Sequence, residues 1–461
     1  MTPAPPVTPG GLLRMRDFRL LWAGETTSML GSSVAGVALP LVAVVTLDAG
    51  TFTVGLLTAA AWSPWLVVGL PAGAWVDRMP KRPMMLACDS VSAVAFASVP
   101  VAAWLGGLTM AHLLVVASVG GVAKVFFTLA YRAYLPVLVG GERLLEANTK
   151  LQGSESAAQI AGPGLAGLLA HAFGAVSGVL ADAVSFAIAA LCLRSVRTRE
   201  SHPRESRLRE SRLRESRTGE ARLRESRTRE AHPREAGSRE AGSREAGSRG
   251  PAERRLLAEI RDGVRFVVPD PYLRTLTLFS AMSNLALMGY QSIQVVFLTR
   301  HLGAGAGQVG LVLALAGAGG LAGAALAGRI AARSGTARGF LLCEAFAAPM
   351  LLLGPTGDSL ALFTLAGFCA GAGIVASNIL TSTFRQQYCP PELLGRITAS
   401  TSALNYGAIP LGALLGGVLG ESIGVRQTLW LMAAVQLGSL AILLLSPIRR
   451  RRDFPGPTPA I

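Results

Sequence analysis

The chain has 461 residues, of which 51% are hydrophobic and only 15% charged, and its formal net charge is +15. Many apolar runs reach about 18 residues, the length that spans ~30 Å of hydrocarbon, and a soluble core of this size would not need them. The basic residues lie between or beside these runs, which is typical of membrane topology and argues against a nucleic-acid-binding face. The composition therefore indicates a polytopic membrane protein.

Motifs for enzymatic chemistry are missing from the sequence. No phosphate-binding Gly-Lys-Ser/Thr loop, His-Glu-x-x-His helix or Gly-x-Ser-x-Gly elbow occurs. We therefore expect no enzyme activity, no cofactor and no metal, and any transport would run on an ion gradient or downhill. The cysteines show neither disulfide nor metal spacing, and most fall inside apolar runs: Cys88, Cys192, Cys343, Cys369 and Cys389.

The apolar runs predict about twelve membrane helices, six on each side of a long polar segment. The first six are predicted at Phe18–Val45, Thr53–Trp75, Met84–Leu105, Met110–Ala130, Gln152–Ala170 and Ala175–Leu193. The second six are predicted at Leu273–Leu298, Val309–Ala331, Gly339–Leu353, Leu360–Thr383, Ile397–Leu419 and Thr428–Leu445. The first run is too long for a cleaved signal peptide, so we expect it to stay in the membrane.

The charge distribution predicts the orientation. With the N-terminus inside, the external loops hold only Arg300 and Arg426, and nearly all other basic residues are cytoplasmic. Because Lys and Arg are enriched in cytoplasmic loops, we expect both termini in the cytoplasm. The abundance of Arg, Ala and Gly is typical of a GC-rich bacterial genome, so the expected location is a bacterial cell membrane.

The polar segment between the halves is a pentapeptide repeat from Arg197 to Gly250, in which units such as SRLRE and AGSRE recur. It has no apolar face to bury, which predicts a solvated linker; binding to anionic lipid headgroups is the alternative. An amphipathic helix is predicted at Glu253–Val268. The expected domains are a bundle at 1–195, this linker region at 196–268, a second bundle at 269–447 and a basic tail at 448–461.

Several motifs occur in a characteristic order outside the repeat. They are Phe18-Arg-Leu-Leu-Trp22, the loop Gly73-Ala-Trp-Val-Asp-Arg-Met-Pro-Lys-Arg82, Ala130-Tyr-Arg-Ala-Tyr-Leu-Pro136, Leu144-Leu-Glu-Ala-Asn148 and Ala161-Gly-Pro-Gly-Leu-Ala-Gly167. Together they resemble major facilitator superfamily transporters of the drug, macrolide and siderophore efflux branch. The resemblance implies the fold of that family, with two bundles of six helices each. The two halves also echo each other, because Tyr131–Pro136 has a counterpart at Phe384–Pro390.

The resemblance implies roles for two of these motifs. In the loop, Asp77 would help to latch the two halves on the cytoplasmic side by facing the N-terminal end of the eleventh helix. Gly73, Arg78, Lys81 and Arg82 would belong to the same cytoplasmic gate. Pro80 stands where the family commonly has Gly, and a role of these charges in topology alone is the alternative. In the fifth helix, Gly162, Pro163 and Gly167 resemble an exporter motif, and Pro163 is expected to break the helix.

Ionisable residues inside apolar runs are costly and are therefore candidates for proton coupling. The candidates are Glu25, Asp89, Glu155 and Asp182, with packing hydrogen bonds as the alternative for each; Glu344 is a further ionisable residue within a run. Asp89 and Glu155 are expected about a turn inside the cytoplasmic end. The family's fourth-helix arginine motif is absent, and Lys124 is the only basic residue in that run. Its amine either extends to the interface or pairs with one of these acids.

Polar side chains in the seventh, tenth and eleventh helices are candidates for a substrate cavity: Asn284, Gln291, Gln294, Asn378, Asn405 and Tyr406. We expect a monomeric secondary transporter that exports a small amphipathic molecule by alternating access, with protons as the driving ion. Two alternatives stay open: a proton-coupled importer of the same fold, and a non-transporting membrane protein that recruits a partner through its basic arm.

Overall fold

The computed structural model describes residues 11–140, 143–197, 265, 267–389 and 391–456, without the side chains of 70, 71, 74 and 77 and most of those at 391–403. A helical turn at Gly11–Arg14 precedes six helices: α1 Arg16–Leu41, α2 in two segments at Thr51–Val67 and Gly69–Arg78, α3 Lys81–Trp104, α4 Met110–Val139, α5 Leu144–Phe173 and α6 Val176–Ser195. The second six are α7 Pro271–Val296, α8 Ala306–Ser334, α9 Thr336–Leu353, α10 Leu360–Tyr388, α11 Pro391–Ser422 and α12 Val425–Leu444. The structure confirms the predicted all-α fold with about twelve helices.

Eight of the helices in the described part of the chain are long and apolar enough to cross a membrane, by length and composition. They are α1, α3, α4, α6, α8, α9, α10 and α12. Of the other four, α2, α5 and α11 form contacts between the two halves. The longer segment of α2, Thr51–Val67, is apolar but has only 17 residues, so it is not among the eight.

Two local predictions are wrong. The Tyr131–Pro136 motif and residues 384–388 of its counterpart do not follow their helices but form the last turns of α4 and α10, because both helices continue beyond the apolar run. Pro163 does not break α5, which runs unbroken from Leu144 to Phe173. Proline removes one backbone hydrogen bond, but the tight packing of α8 on this stretch keeps the helix continuous.

The repeat and the predicted amphipathic helix lie almost entirely outside the described residues. Of the segment 196–268, only residues 196, 197, 265, 267 and 268 are described. The prediction of a solvated linker is therefore not tested by the structure.

The two halves have the same internal arrangement. In the first half, α1 packs on α5 and α6, α3 packs on α4 and α6, and α2 packs on α4. In the second half, α7 packs on α11 and α12, α9 packs on α10 and α12, and α8 packs on α10. The contacts between halves are equally symmetric, because α2 packs on α11 and α5 packs on α8. This arrangement is that of a parallel repeat with an interface between two six-helix bundles.

The ends of the bundles form two faces. We call the face where α1 begins and α12 ends the terminal face, and the opposite one the distal face. On the distal side, a single apolar core includes buried residues of both halves, among them Leu41, Val54, Phe297 and Val309. On the terminal side, the described buried residues form two separate cores, one around Tyr134 in the first half and one around Phe340, Phe384 and Tyr388 in the second.

Glycines bring the two bundles into backbone contact on the distal side. A Cβ on Gly55 of α2 would lie 2.6 Å from the carbonyl oxygen of Ala413, and one on Gly167 of α5 would lie 2.7 Å from the Cα of Gly310. These distances are too short for any larger residue without movement of the helices. Towards the terminal face, a Cβ on Gly69, Gly73, Gly153 or Gly328 would meet no described atom within 4 Å. In the described structure the two bundles are therefore in close contact at the distal face, whereas their cores are separate at the terminal face.

Candidate functional site

A cavity of about 570 Å³ lies between the two bundles. Its walls come from α1, α2 and α5 of the first half and from α7, α8, α9 and α10 of the second. Most of the lining is apolar, and its polar side chains include Gln159, Gln291 and Gln294. The described lining contains no Asp, Glu, Lys, Arg or His. We call it the central cavity; its size and lining suit an uncharged, partly apolar group of a small molecule.

The structure divides the predicted substrate-cavity residues into three groups. Gln291 and Gln294 line the central cavity, as stated above, and Tyr406 lines a second cavity. Asn284, Asn378 and Asn405 line neither. Gln159 and Trp62, which the sequence did not single out, line the central cavity as well. Their helices α5 and α2 were predicted, but the rotation of each helix about its axis was not, and that rotation determines which side chains reach the cavity.

The second cavity, of about 460 Å³, lies within the first bundle and reaches α11 of the second through Tyr406. We call it the N-bundle chamber. Four charged side chains are part of its lining: Lys124, Arg132, Glu155 and Asp182. Five aromatic side chains complete it: Trp62, Trp65, Phe96, Phe186 and Tyr406. Its chemistry is thus different from that of the central cavity.

The four predicted carboxyls come from α1, α3, α5 and α6, and the structure places them in one region of the first bundle. Glu25, Asp89 and Asp182 are buried, with 7%, 3% and 1% of their surfaces exposed, and Glu155 is half-buried. The positive charge of Lys124 on α4 acts on all three buried carboxyls. No ion pair of Lys124 within 4 Å exists among the described residues.

Asp89 and Glu155 lie farther from the ends of their helices than the apolar runs indicate. Asp89 lies more than two turns after the start of α3 at Lys81, and Glu155 about three turns after the start of α5 at Leu144. Both helices begin earlier than their apolar runs, so both acids are deeper in the bundle than about one turn. Glu155 accepts a hydrogen bond from Nε2 of Gln152 at 3.2 Å.

Lys81 and Arg82, which the sequence placed in the loop between two helices, form the first turn of α3, and only Met79 and Pro80 lie between α2 and α3. Both basic side chains cap helix ends. The Lys81 Nζ donates to the carbonyls of Val76 (2.8 Å) and Met79 (2.9 Å) at the end of α2. Arg82 donates from Nε to the Leu193 carbonyl (3.2 Å) and from Nη2 to the Arg194 carbonyl (2.8 Å) at the end of α6. Cations at helix C-termini are favoured by the helix dipole.

The remaining members of this loop motif are less informative. Arg78 is exposed, and Gly73 lies on α2 where no described atom would meet a Cβ. The side chain of Asp77 and those of Arg396 and Thr398 at the start of α11 are outside the described residues. The latch through Asp77 therefore stays a prediction.

The helix-five motif contacts both neighbours of α5. A Cβ on Gly162 would overlap the Ser33 side chain of α1, and Gly167 packs against the backbone of α8 at Gly310. The carbonyl oxygen of Pro163 also faces Gly310, where a Cβ would be 2.6 Å away. The motif thus lets α5 pack closely against α1 of its own bundle and against α8 of the other bundle.

The distal face has polar contacts between the bundles that the sequence reading did not predict. The Arg300 Nη2 donates to the Asp48 carboxylate at 2.7 Å and to the Ala49 carbonyl at 2.9 Å. The Phe52 backbone N–H at the start of α2 donates to Oε2 of Glu421 at 3.3 Å. Arg300 lies within the π-helical turn Phe297–His301 that extends α7, and Asp48 follows the corresponding turn Val42–Thr46 that extends α1. The sequence signal for this contact is that Arg300 is one of only two arginines predicted in external loops.

Among the described residues of the second bundle, one carboxyl is buried, that of Glu344 on α9. It accepts a hydrogen bond from the Ser377 hydroxyl of α10 at 2.5 Å and one from Nε2 of Gln436 of α12 at 3.5 Å. These partners connect three helices of the bundle, and Glu344 lines neither the central cavity nor the N-bundle chamber. We therefore assign it a packing role.

Two symmetric bundles around a central cavity closed at one face define a membrane transporter of the alternating-access class. The sequence model of the Major Facilitator Superfamily matches residues 21–291 and 276–460. The chain belongs to this superfamily, which is a family of transporters, and this implies a small-molecule substrate and a location in a cell membrane.

The chain is similar to proteins named as efflux pumps, to one of them over most of its length. It is 26% identical over 452 residues to the multidrug efflux pump Tap of Mycolicibacterium fortuitum, covering 95% of this chain and 96% of the relative. It is 25% identical over 181 residues to macrolide efflux protein A of Streptococcus pyogenes, covering 39% and 44% of the two chains.

Solved structures confirm the fold. A mutant of the nucleoside transporter NupG superposes with a TM-score of 0.69 at 12% identity, covering 93% of this chain and 99% of that one. A bacterial homologue of the iron transporter ferroportin in its inward-facing state gives a TM-score of 0.68 at 15% identity, covering 94% and 99%.

Proposed function

We propose that the protein exports a small amphipathic molecule from the cytoplasm and that protons entering the cell drive this export. The central cavity, which is closed at the distal face and lined by apolar and amide side chains, is the observation that carries the proposal. The names of its relatives support the direction of transport, since they include a multidrug efflux pump and a macrolide efflux protein.

The proposed orientation has both termini in the cytoplasm. The terminal face carries Arg78, Lys81, Arg82 and the arginines at 449–452, whereas Arg300 and Arg426 on the distal face are each paired with an aspartate. This charge distribution agrees with the enrichment of Lys and Arg in cytoplasmic loops. In that orientation the structure represents a conformation closed to the outside, and a substrate would enter the central cavity from the cytoplasm.

The proposed coupling site is the carboxyl cluster of the first bundle. Glu25, Asp89 and Asp182 are buried near one cation, Lys124, so at most one of the three charges can be balanced by it. Uncompensated charges inside a bundle are costly. Loss or gain of a proton there would therefore change the relative free energies of the two conformations, which is what coupling requires. Glu155, at the edge of the cluster, is the most accessible acid for proton exchange.

The remaining parts of the proposal concern the gate and the chain organisation. Asp77 with Gly73, Arg78, Lys81 and Arg82 would form the cytoplasmic latch when the terminal face closes. Gly162, Pro163 and Gly167 would let α5 move against its neighbours. We propose bundles at 1–195 and 269–447 joined by the linker at 196–268, a basic tail at 448–461, and a monomeric transporter.

Proton movement in proteoliposomes tests this function. The vesicles carry an internal pH dye and an acid-inside gradient, and the probe is methyltriphenylphosphonium, a permanent cation that carries no proton of its own. Erythromycin serves as a second probe, and protein-free vesicles give the passive rate. Export by antiport predicts that the probe added outside dissipates the gradient in the wild type and not in Glu25→Gln.

The control variant is Glu146→Gln, which changes the same residue type in a surface pair with Lys150 and should behave like the wild type. Dissipation only by probe loaded inside the vesicles would indicate symport, the importer alternative. Probe movement without proton movement would contradict the proton coupling and leave export standing. If neither probe moves, and deletion of residues 198–250 abolishes function in cells, the partner-recruiting alternative replaces transport.

A further inference from the structure

The central cavity and the N-bundle chamber are neighbours that share wall residues. Gly36 of α1 and Trp62 of α2 line both of them. Gly36 has no side chain, and a Cβ there would meet nothing within 4 Å, so the indole of Trp62 is the main side chain in the shared wall. The two cavities thus adjoin at Trp62, whose indole borders both.

The chamber has aromatic surfaces that are suited to a cation. The rings of Trp65 and Tyr406 pack with their centroids 5.0 Å apart, across the interface between the bundles. The rings of Phe96 and Phe186 are 5.6 Å apart on another wall. The face of an aromatic ring attracts a cation within about 6 Å of its centroid, and Trp is the most favourable.

The carboxyls of the chamber provide the negative charge that a cationic group would need. Asp182 is almost fully buried and lines the chamber, yet only its Oδ1 has a hydrogen bond among the described residues, from the Ser185 hydroxyl at 3.1 Å. Its Oδ2 is therefore available to a group in the chamber. Lys124 and Arg132 line the same chamber, but Lys124 also acts on Glu25 and Asp89 behind it. In the lining, Asp182 and Glu155 are matched in number by Lys124 and Arg132, and Glu25 and Asp89 outside the lining add two further carboxyls to the region.

We propose that the N-bundle chamber is a subsite for the positively charged group of the substrate, a quaternary or protonated nitrogen or a phosphonium. Asp182 and the rings of Trp65 and Tyr406 hold the charge, and the apolar body of the same molecule lies in the central cavity beyond Trp62. The central cavity has no charged residue in its described lining, so it cannot supply this recognition. The subsite rests on the proposed function and specifies its substrate class as cationic amphiphiles.

The test compares two probes of similar shape that differ in charge. Binding of methyltriphenylphosphonium and of the neutral triphenylphosphine oxide to the purified full-length protein in detergent is measured by equilibrium dialysis. The subsite predicts that the wild type binds the cation at least tenfold more tightly than the neutral probe. Asp182→Asn is expected to weaken cation binding by tenfold or more and to change binding of the neutral probe by less than twofold.

Two further variants keep the test independent of folding defects. Trp65→Leu should weaken cation binding several-fold, whereas Trp65→Phe, which keeps an aromatic face, should retain most of it. The matched control is Asp358→Asn, which removes a carboxylate from an exposed pair on the distal face and should leave both probes unaffected. A variant that has also lost binding of the neutral probe is counted as misfolded. In that case the remaining one of Asp182→Asn and Trp65→Leu is used to test the subsite.

The outcomes separate the subsite from the proposed function. Equal binding of the two probes by the wild type, or undiminished binding of the cation in Asp182→Asn or in Trp65→Leu, would overturn the subsite. Export of a neutral compound without binding of the cation would leave the proposed function standing and remove the subsite. Normal binding of the cation by a protein that moves no probe in proteoliposomes would support the subsite and contradict export.

Discussion

The contact between Gly167 of α5 and Gly310 of α8 offers a direct test of the closed distal face. A Cβ on Gly310 would lie 2.6 Å from the Pro163 carbonyl oxygen and 2.7 Å from the Gly167 nitrogen. Both neighbours are backbone atoms, so no side-chain rotation can relieve the overlap. An ordinary contact would require the two helices to separate by about 1 Å in Gly310→Ala.

This separation should destabilise the distal-closed conformation. An overpacked contact between well-packed elements typically costs about 1–3 kcal/mol. A free-energy difference of that size changes the ratio of two conformations by roughly 5- to 150-fold. We therefore expect Gly310→Ala to increase the population that is open at the distal face.

Distances between spin labels measure that population. Labels at Phe173, at the end of α5, and at His301, after α7, lie on opposite bundles and are both exposed. They are introduced in a background in which the five cysteines have been replaced. Double electron–electron resonance on the protein in lipid nanodiscs should show a longer-distance component that grows in Gly310→Ala.

The matched control is Gly307→Ala, one turn earlier on α8. A Cβ there would lie 3.5 Å from the Cβ of His171, which is an ordinary contact, so its distance distribution should be that of the wild type. A wild-type distribution in Gly310→Ala would refute the reasoning, and so would equal shifts in both variants.

Three further outcomes follow from the contacts at the two faces. Arg300→Ala should shift the same distance distribution less than Gly310→Ala does, since exposed ion pairs contribute about 1 kcal/mol or less. Because salt screens such pairs, the wild type in 1 M salt should show the same shift as Arg300→Ala. Phe454→Ala should lower the midpoint of thermal unfolding in detergent, because the half-buried ring of Phe454 stacks on that of Phe384 with 4.2 Å between the centroids. We expect the free energy of unfolding to fall by roughly 2–3 kcal/mol, which is less than for a fully buried Phe. An unchanged midpoint would contradict this expectation. Arg82→Ala should also lower the midpoint, since two charged hydrogen bonds to the end of α6 are lost. Arg78 is exposed, so Arg78→Ala should leave the midpoint unchanged. Equal midpoints for these two variants would exclude the capping role of Arg82.

The sequence predicted the connection between α2 and α3 better than it predicted the cavities. The charges from Arg78 to Arg82 had to fall where two apolar runs are joined, because a turn outside the membrane is where such charges are stable. The structure places them in the last turn of α2 and the first turn of α3. The polar candidates within helices were harder to place. Of six predicted cavity residues, Gln291 and Gln294 line the central cavity and Tyr406 lines the chamber, whereas Asn284, Asn378 and Asn405 line neither.

The sequence by itself determined the approximate number and the class of the helices, because a segment of about 20 apolar residues has only one stable way to satisfy its backbone in a membrane. It did not determine their lengths, since α3, α4, α5 and α10 all extend beyond their apolar runs. Only the tertiary structure decided which residues meet. Lys124 has no acidic neighbour in its own run, yet packing brings its charge into the field of carboxyls from α1, α3 and α6. Likewise, the closed distal face depends on glycines of different bundles that meet backbone to backbone. Such contacts are set by the rotation and close approach of distant helices, which no local pattern of residues specifies.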